Sequence, residues 1–184
     1  FDNKPLFGKR VVVTRSRSQA SRLTQHLASL GAECIEIPVI SIAEPSDHFR
    51  SMDAGIEKLP SYDWVVFTSQ NGVDCFFRRL YEKGGDARLL GHAKIACIGP
   101  ATDLALRQYG VHADCLPKEY RAEGLLEALA PEVGKGTKIF LPRAKVAREI
   151  LVDGLRDMGA DVDVAEAYCT VCEEESRKKL NDLL

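Results

Sequence analysis

Short apolar runs alternate with segments of helical period along the whole sequence. Residues 9–14, 33–37, 64–68, 94–98 and 138–141 are rich in Val, Ile, Phe, Ala and Cys, with the length of buried strands. Between them, apolar residues recur every three or four positions. Leu23, Leu27 and Leu30 share one face of a helix predicted from Ser18, and Val73, Phe76, Phe77 and Leu80 one face of another from Asn71. Further helices are predicted over 52–59, 102–109, 123–130 and 146–158. Gly31, Gly84, Gly110 and Gly159 follow four of the helices, where a left-handed residue closes the last turn. Residues 39–43, 113–116 and 161–171 read as extended, and a polar helix opens at Glu173. Strand and helix in turn predict the α/β class, a parallel sheet covered on both faces. Ligands of such sheets sit beyond the carboxyl ends of the strands.

Four predicted strands end in small, polar or basic turns that lead straight into helices: Thr14-Arg-Ser-Arg17, Thr68-Ser-Gln-Asn-Gly72, Gly99-Pro-Ala-Thr102 and Pro142-Arg-Ala-Lys145. Free N–H groups and the positive end of the helix dipole suit such turns to phosphate or carboxylate. Ser, Thr and Asn also serve there simply as caps, so recurrence carries more weight than any one turn. Charge placement sharpens this. The 184 residues hold 25 Lys and Arg against 27 Asp and Glu, a net charge of −2 that argues against a general nucleic-acid binder. Two windows nevertheless contain no acid: residues 9–32, with Lys9, Arg10, Arg15, Arg17 and Arg22, and residues 133–148, with Lys135, Lys138, Arg143, Lys145 and Arg148. Each includes a strand-end turn, which predicts a cleft for a polyanion, with Thr14-Arg15 and Pro142-Arg143 facing it together. No G-x-x-x-x-G-K-[ST] or G-x-G-x-x-G occurs, which favours carboxylates over nucleotide phosphates.

With 45% apolar and 28% charged residues, the composition is globular, and the length fits one domain or two small ones. No stretch is apolar enough to span a bilayer and no secretory leader opens the chain, so the reading is soluble and cytoplasmic. Phe1 in place of Met points to a segment of a longer polypeptide. Cys34, Cys75, Cys97 and Cys115 sit in or beside apolar patterns as small buried hydrophobes. Cys169 and Cys172 form a C-x-x-C, but at the end of an extended run rather than the helix start that redox chemistry uses. The four His are scattered, which argues against a zinc site. No nucleophile elbow or Ser-His-Asp spacing is present, so a reaction asking little of side chains is favoured. Tyr168, between Ala167 and Cys169 on the long strand, is the best acid/base candidate, although strand Tyr commonly packs half-buried.

In order and spacing, these residues resemble the uroporphyrinogen-III synthase family. The resemblance is carried by Gly8-Lys-Arg-Val-Val-Val-Thr-Arg15, Leu30-Gly-Ala32 with Ile37-Pro38, Asp63-Trp-Val-Val-Phe-Thr-Ser69 with Asn71-Gly-Val73, and Ile98-Gly-Pro-Ala-Thr102. It continues through Tyr120-Arg-Ala-Glu-Gly-Leu125, Phe140-Leu-Pro-Arg143, Arg148 to Leu151, and Tyr168-Cys-Thr-Val171. It implies two parallel-sheet α/β domains, one inserted in the other and joined by two extended strands. Residues 1–37 would open domain 1, 38–43 and 165–172 would be the linker strands, 44–164 domain 2, and 173–184 the start of the return to domain 1. The remainder of domain 1 would be absent, which leaves three outcomes open for the fragment: a swap or a dimer through the incomplete domain, or inactivity. The opening also looks like the junction of bacterial fusions in which a uroporphyrinogen-III methyltransferase comes first.

The resemblance further implies cyclisation of hydroxymethylbilane, a substrate with eight carboxylates, with loss of water and inversion of the terminal pyrrole ring to give uroporphyrinogen III in tetrapyrrole (haem) biosynthesis. No cofactor or metal is implied, and no nucleic-acid or membrane partner. Tyr168 matches the family's acid near the leaving hydroxyl. Thr14, Arg15, Thr68, Ser69, Asn71, Gly99, Thr102, Ala122, Gly124, Pro142, Arg143 and Arg148 match its substrate-binding positions. A non-catalytic module that binds a polyanion or a partner protein is the alternative.

Overall fold

A computed structural model describes residues 4–14 and 17–183, without the side chains of 17–22, 175, 177, 182 and 183. The chain divides into two compact units, residues 1–43 with 170–184 and residues 44–169.

In the smaller unit β1 (Arg10–Val13), α1 (Arg17–Ser29) and β2 (Glu33–Glu36) form a parallel strand–helix–strand, with Arg10 opposite Glu33 and Val13 opposite Glu36. Gly31 closes α1 with φ 96°, a conformation that a side chain would strain. β3 (Ile40–Ala43) follows, and α7 (Glu174–Leu183) closes the unit. Thr14 sits directly after β1; Arg15 lies outside the described residues.

The larger unit contains α2 (Arg50–Glu57), β4 (Trp64–Phe67), α3 (Gln70–Glu82), β5 (Lys94–Cys97), α4 (Pro100–Arg107), α5 (Ala122–Leu129), β6 (Lys138–Ala144), α6 (Ile150–Asp157) and β7 (Asp161–Cys172), which runs on into the smaller unit. Within this unit the strand order is β7-β6-β4-β5, and all three neighbouring pairs are parallel. Strand alternation divides the apolar residues between two layers. Val65, Phe67, Ile95, Cys97 and Phe140 pack under α2, α3 and α4 with Met52, Ile56, Val73, Phe76, Phe77, Leu80 and Leu106. Trp64, Val66, Ala96, Ile139 and Leu141 pack under α5 and α6 with Leu125, Leu129, Leu151, Val152 and Leu155. Both faces of β4 are therefore buried, which is why its four residues carry no polar side chain. Glycine permits two close helix approaches: a Cβ on Gly55 would lie 2.1 Å from the Phe140 ring, and one on Gly154 2.5 Å from Leu126.

Three local expectations change. β6 extends to Ala144, so Pro142-Arg-Ala-Lys145 is not a turn leading into a helix: Pro142 and Arg143 are strand residues opposite Ala165 and Glu166. The register of β4 on β6 covers Trp64 and Val65 opposite Ile139 and Phe140, so Pro142 lies past it, where a missing N–H is tolerated. The following helix begins at Ile150 rather than at 146. Residues 113–116 form one bridge, Ala96 to Cys115, instead of a strand. Among the described residues no helix is long and apolar enough to cross a membrane.

Candidate functional site

In the order β7-β6-β4-β5, neighbours β4 and β6 send their helices to opposite faces: α3 joins the core layer of Phe76 and Phe77, α6 that of Leu151 and Leu155. The divergence leaves a crevice beyond their carboxyl ends, the switch point at which open α/β sheets bind ligands. A pocket of about 400 Å³ lies there, within the larger unit. Thr68 and Ser69 line it after β4, Ile98 after β5, Leu141, Arg143 and Ala144 on β6, Tyr168 on β7, Tyr120 to Ala122 before and at the start of α5, and Val146 to Arg148 with Leu151 around the start of α6.

Three helix N-termini thus meet at one cavity, each of a helix of eight residues or more. Ser69 caps α3, its Oγ accepting from Gly72 N–H at 3.0 Å. A Cβ on Gly72 would lie 3.3 Å from the Pro142 carbonyl, so a small residue there lets α3 start close against β6. Arg121 is the residue before α5, and a Cβ on Gly124 would stand 2.3 Å from the Glu119 carbonyl, so glycine lets the chain before α5 fold back on its first turn. Gly99, ahead of α4, lies under Tyr120, whose Cβ would be 3.3 Å from an added methyl.

Tyr168 reaches the pocket through an irregularity of register. Arg143 pairs with Glu166 but Ala144 with Tyr168, so Ala167 is an extra residue on β7. Such a bulge re-aims the side chain that follows it. Glu166 turns to Ser46, accepting from its N–H at 2.6 Å and from its hydroxyl at 2.9 Å. Tyr168 instead lies in the core layer of Ala165 and Ala167, 7% exposed, with its hydroxyl 3.1 Å from Ser69 Oγ, either oxygen able to donate. Burial works against the Glu166 carboxylate, but the Cys169 thiol, the Ser46 bonds and the Lys145 charge prevail and hold its pKa low. Cys169 donates to Glu166 at 2.9 Å, and that bond raises its thiol pKa. A thiol held protonated in mid-strand is the opposite of what C-x-x-C redox chemistry needs.

The cations are distributed differently from what the acid-free windows suggest. Lys138 begins β6 and Arg143 lies near its end, about 16 Å further along an extended strand. Lys135 lines a separate open groove with Asp63, His92, Glu132 and Thr137. Arg143 is buried and already engaged, donating to the Arg148 carbonyl at 3.2 Å and to Glu149 Oε1 at 2.6 Å. Arg121 pairs with Glu119 at 2.5 Å, and Lys145 donates to Ser46 Oγ at 2.8 Å. Arg148 is exposed, and its guanidinium has no ion pair among the described residues. Arg143 therefore holds the segment that carries Arg148, and Arg148 lines the pocket without an ion pair among the described residues.

Of the residues singled out from sequence, Thr68, Ser69, Ala122, Arg143, Arg148 and Tyr168 line this pocket. Gly99, Gly124 and Pro142 are backbone supports behind it, Asn71 is half-buried in the first turn of α3, and Thr102 is buried in α4 at 4% exposure. Thr14 belongs to the smaller unit. Sequence reasoning passed over Tyr120, Arg121 and Val146. The first two stand within the quoted Tyr120-Arg-Ala-Glu-Gly-Leu125 segment, and Val146, 89% exposed, is the apolar residue least expected at a surface. Among the described residues no group of three or more His, Cys, Asp or Glu is gathered as a metal site would be.

A family model described as Uroporphyrinogen-III synthase HemD matches residues 21–184. The porphyrin biosynthesis protein HemD of Ruminiclostridium josui is 33% identical over 98% of this chain and 36% of its own length. The uroporphyrinogen-III synthase of Synechococcus elongatus is 31% identical over 94% of this chain and 64% of its own. The chain therefore spans between about a third and two thirds of these relatives. A crystal structure of a mutant uroporphyrinogen III synthase from Thermus thermophilus superimposes with a TM-score of 0.65 at 19% identity, over 95% of this chain and 67% of that one, a likeness of fold.

Proposed function

Because this chain belongs to the uroporphyrinogen-III synthase family, we propose that it binds hydroxymethylbilane and closes it, with loss of water and inversion of the terminal pyrrole ring, to uroporphyrinogen III. The observation that carries this is the convergence, at one pocket of about 400 Å³, of three helix N-termini, the Tyr168 hydroxyl and Arg148, which has no ion pair among the described residues. Helix N-termini and an arginine suit carboxylates, and of the two phenols that line the pocket, exposed Tyr120 and buried Tyr168, the buried one serves as the acid at the reacting end. The pocket is small for a four-ring chain but fits one ring with its acidic arms. We place the terminal, inverting ring there. The remaining carboxylates fall to other family positions.

In this reading Tyr168 donates a proton to the departing hydroxyl, and the electron-rich pyrrole supplies the push. The azafulvene that results is attacked through a spiro intermediate, and the ring closes. The protein contributes mainly orientation, and the low side-chain demand fits a pocket lined by two phenols, Tyr120 and Tyr168, and by no carboxylate. The domain arrangement follows the family: residues 44–164 as the inserted domain, with 38–43 and 165–172 as linker strands, in a cytoplasmic enzyme.

The test is incubation of the natural full-length protein with hydroxymethylbilane, oxidation, and separation of the type I and type III porphyrins. Type III in excess over the spontaneous type I product is expected. Binding without any type III product would instead support the non-catalytic polyanion module.

A further inference from the structure

Ser69 meets two partners with one oxygen. Its Oγ accepts from Gly72 N–H at 3.0 Å and lies 3.1 Å from the Tyr168 hydroxyl, for which it is the one hydrogen-bond partner among the described residues. A hydroxyl has one proton and two acceptor positions. The cap bond fills one acceptor position for as long as α3 is formed, and accepting from an amide makes the Oγ–H a better donor. The ring of Tyr168 lies in the core with Ala165 and Ala167, which fixes the phenol oxygen opposite Ser69.

Resting on the function proposed above, we infer that Ser69 is a positioning residue for the acid step. Its Oγ–H donates to the phenol oxygen and thereby turns the phenol proton into the pocket. The chain runs from Gly72 N–H through Ser69 Oγ–H and Tyr168 O–H to the leaving hydroxyl. As the proton moves onto that hydroxyl, its C–O bond breaks and the bonding pair departs with water. The pyrrole nitrogen pair fills the vacancy at carbon, and the phenol oxygen keeps a negative charge. Ser69 Oγ–H faces that charge, backed by the Gly72 amide at the positive end of α3. The proton released from pyrrole carbon when the ring rearomatises returns to the phenolate, so the net product beside the macrocycle is one water.

The test is a double-mutant cycle in the natural full-length protein, with type III formation by the wild type as the control on the functional reading itself. Ser69→Ala is expected to lower kcat roughly ten-fold while KM stays within about two-fold. In the Tyr168→Phe background the same change should move kcat by less than about two-fold, because the group it positions is gone. Ser69→Thr, which keeps both cap and hydroxyl, should restore most of the rate. An equal loss in both backgrounds would mean a helix cap and nothing more, and would overturn the inference. A change confined to KM would do the same. A second readout needs no turnover: the Raman difference between wild type and Tyr168→Phe isolates the phenol ring doublet, which reports whether the hydroxyl accepts. An acceptor signature that Ser69→Ala abolishes is expected, and a doublet indifferent to Ser69 contradicts the geometry even if the wild type turns nothing over.

Discussion

At the scale of single residues, the site separates groups that hold from groups that act. Arg143 has the charge expected of a carboxylate ligand, yet its guanidinium is taken up by the Arg148 carbonyl and by Glu149. Arg148, one turn of loop further on, keeps its charge available. Tyr168 is the reverse case: a strand tyrosine that looks like packing, and is packed, but whose hydroxyl opens on the cavity. General acid assistance is worth about 10²–10⁴ in rate, and a substrate that readily sheds its hydroxyl needs the low end of that range. Tyr168→Phe should therefore slow formation of the inverted product about ten- to a hundred-fold while leaving it detectable in isomer-resolved kinetics. Complete loss with the fold intact would contradict a mechanism dominated by positioning, and an unchanged rate would leave Tyr168 a packing residue.

At the scale of elements, the pocket exists because three helices start where they do, and glycine decides two of those starts. A methyl at Gly124 would meet the Glu119 carbonyl at 2.3 Å, backbone that cannot swing aside. Gly124→Ala should cost about 1–3 kcal/mol in denaturant unfolding and weaken ligand binding through Arg121 and Ala122. Stability and binding both unchanged would show that this turn has slack. The strands of the larger sheet were legible because burial on both faces leaves runs such as Trp64-Val-Val-Phe67 without a polar residue. The end of β6 was not, since proline reads as a breaker unless the partner strand is known to have stopped pairing. The start of α3 was visible in its polar turn and apolar periodicity, whereas α5 was read as a helix from Glu123 without any cap, and Arg121 before it makes no side-chain cap bond. The Ala167 bulge that aims Tyr168 has no sequence signal at all, being a mismatch between two strands far apart in the chain.

At the scale of the whole molecule, charge sets the pH range of the fold. Arg79 hydrogen-bonds the Asp53 carboxylate through two nitrogens at 2.7 Å, and Tyr62 and Lys58 hold that of Asp163; both pKa values lie below the ordinary 3.8. Carboxyls depressed in the folded state contribute stability above their unfolded pKa, and it is lost as pH falls through the folded value. Burial pushes the Cys97 thiol from 9.0 to about 11 and the Tyr109 phenol from 10.0 to about 12. A raised pKa contributes stability below the unfolded value, lost as pH rises toward the folded one. Chemical denaturation against pH should thus show a plateau from about 5 to 8 falling on both sides, with Cys97 accounting for about 2–3 kcal/mol of the alkaline limb. A limb unchanged in Cys97→Ala would refute that assignment. The basic windows were legible as charge but not as place, because a strand carries Lys138 and Arg143 to opposite ends of the sheet. The most direct test of the site is to titrate uroporphyrinogen III into ¹⁵N-labelled protein and follow the backbone amides. Shifts should concentrate on Ser69, Gly72, Ala122, Ala144, Arg148 and Tyr168 at the carboxyl ends of the strands, and shifts confined to His92, Lys135 and Thr137 at the opposite end would contradict the account.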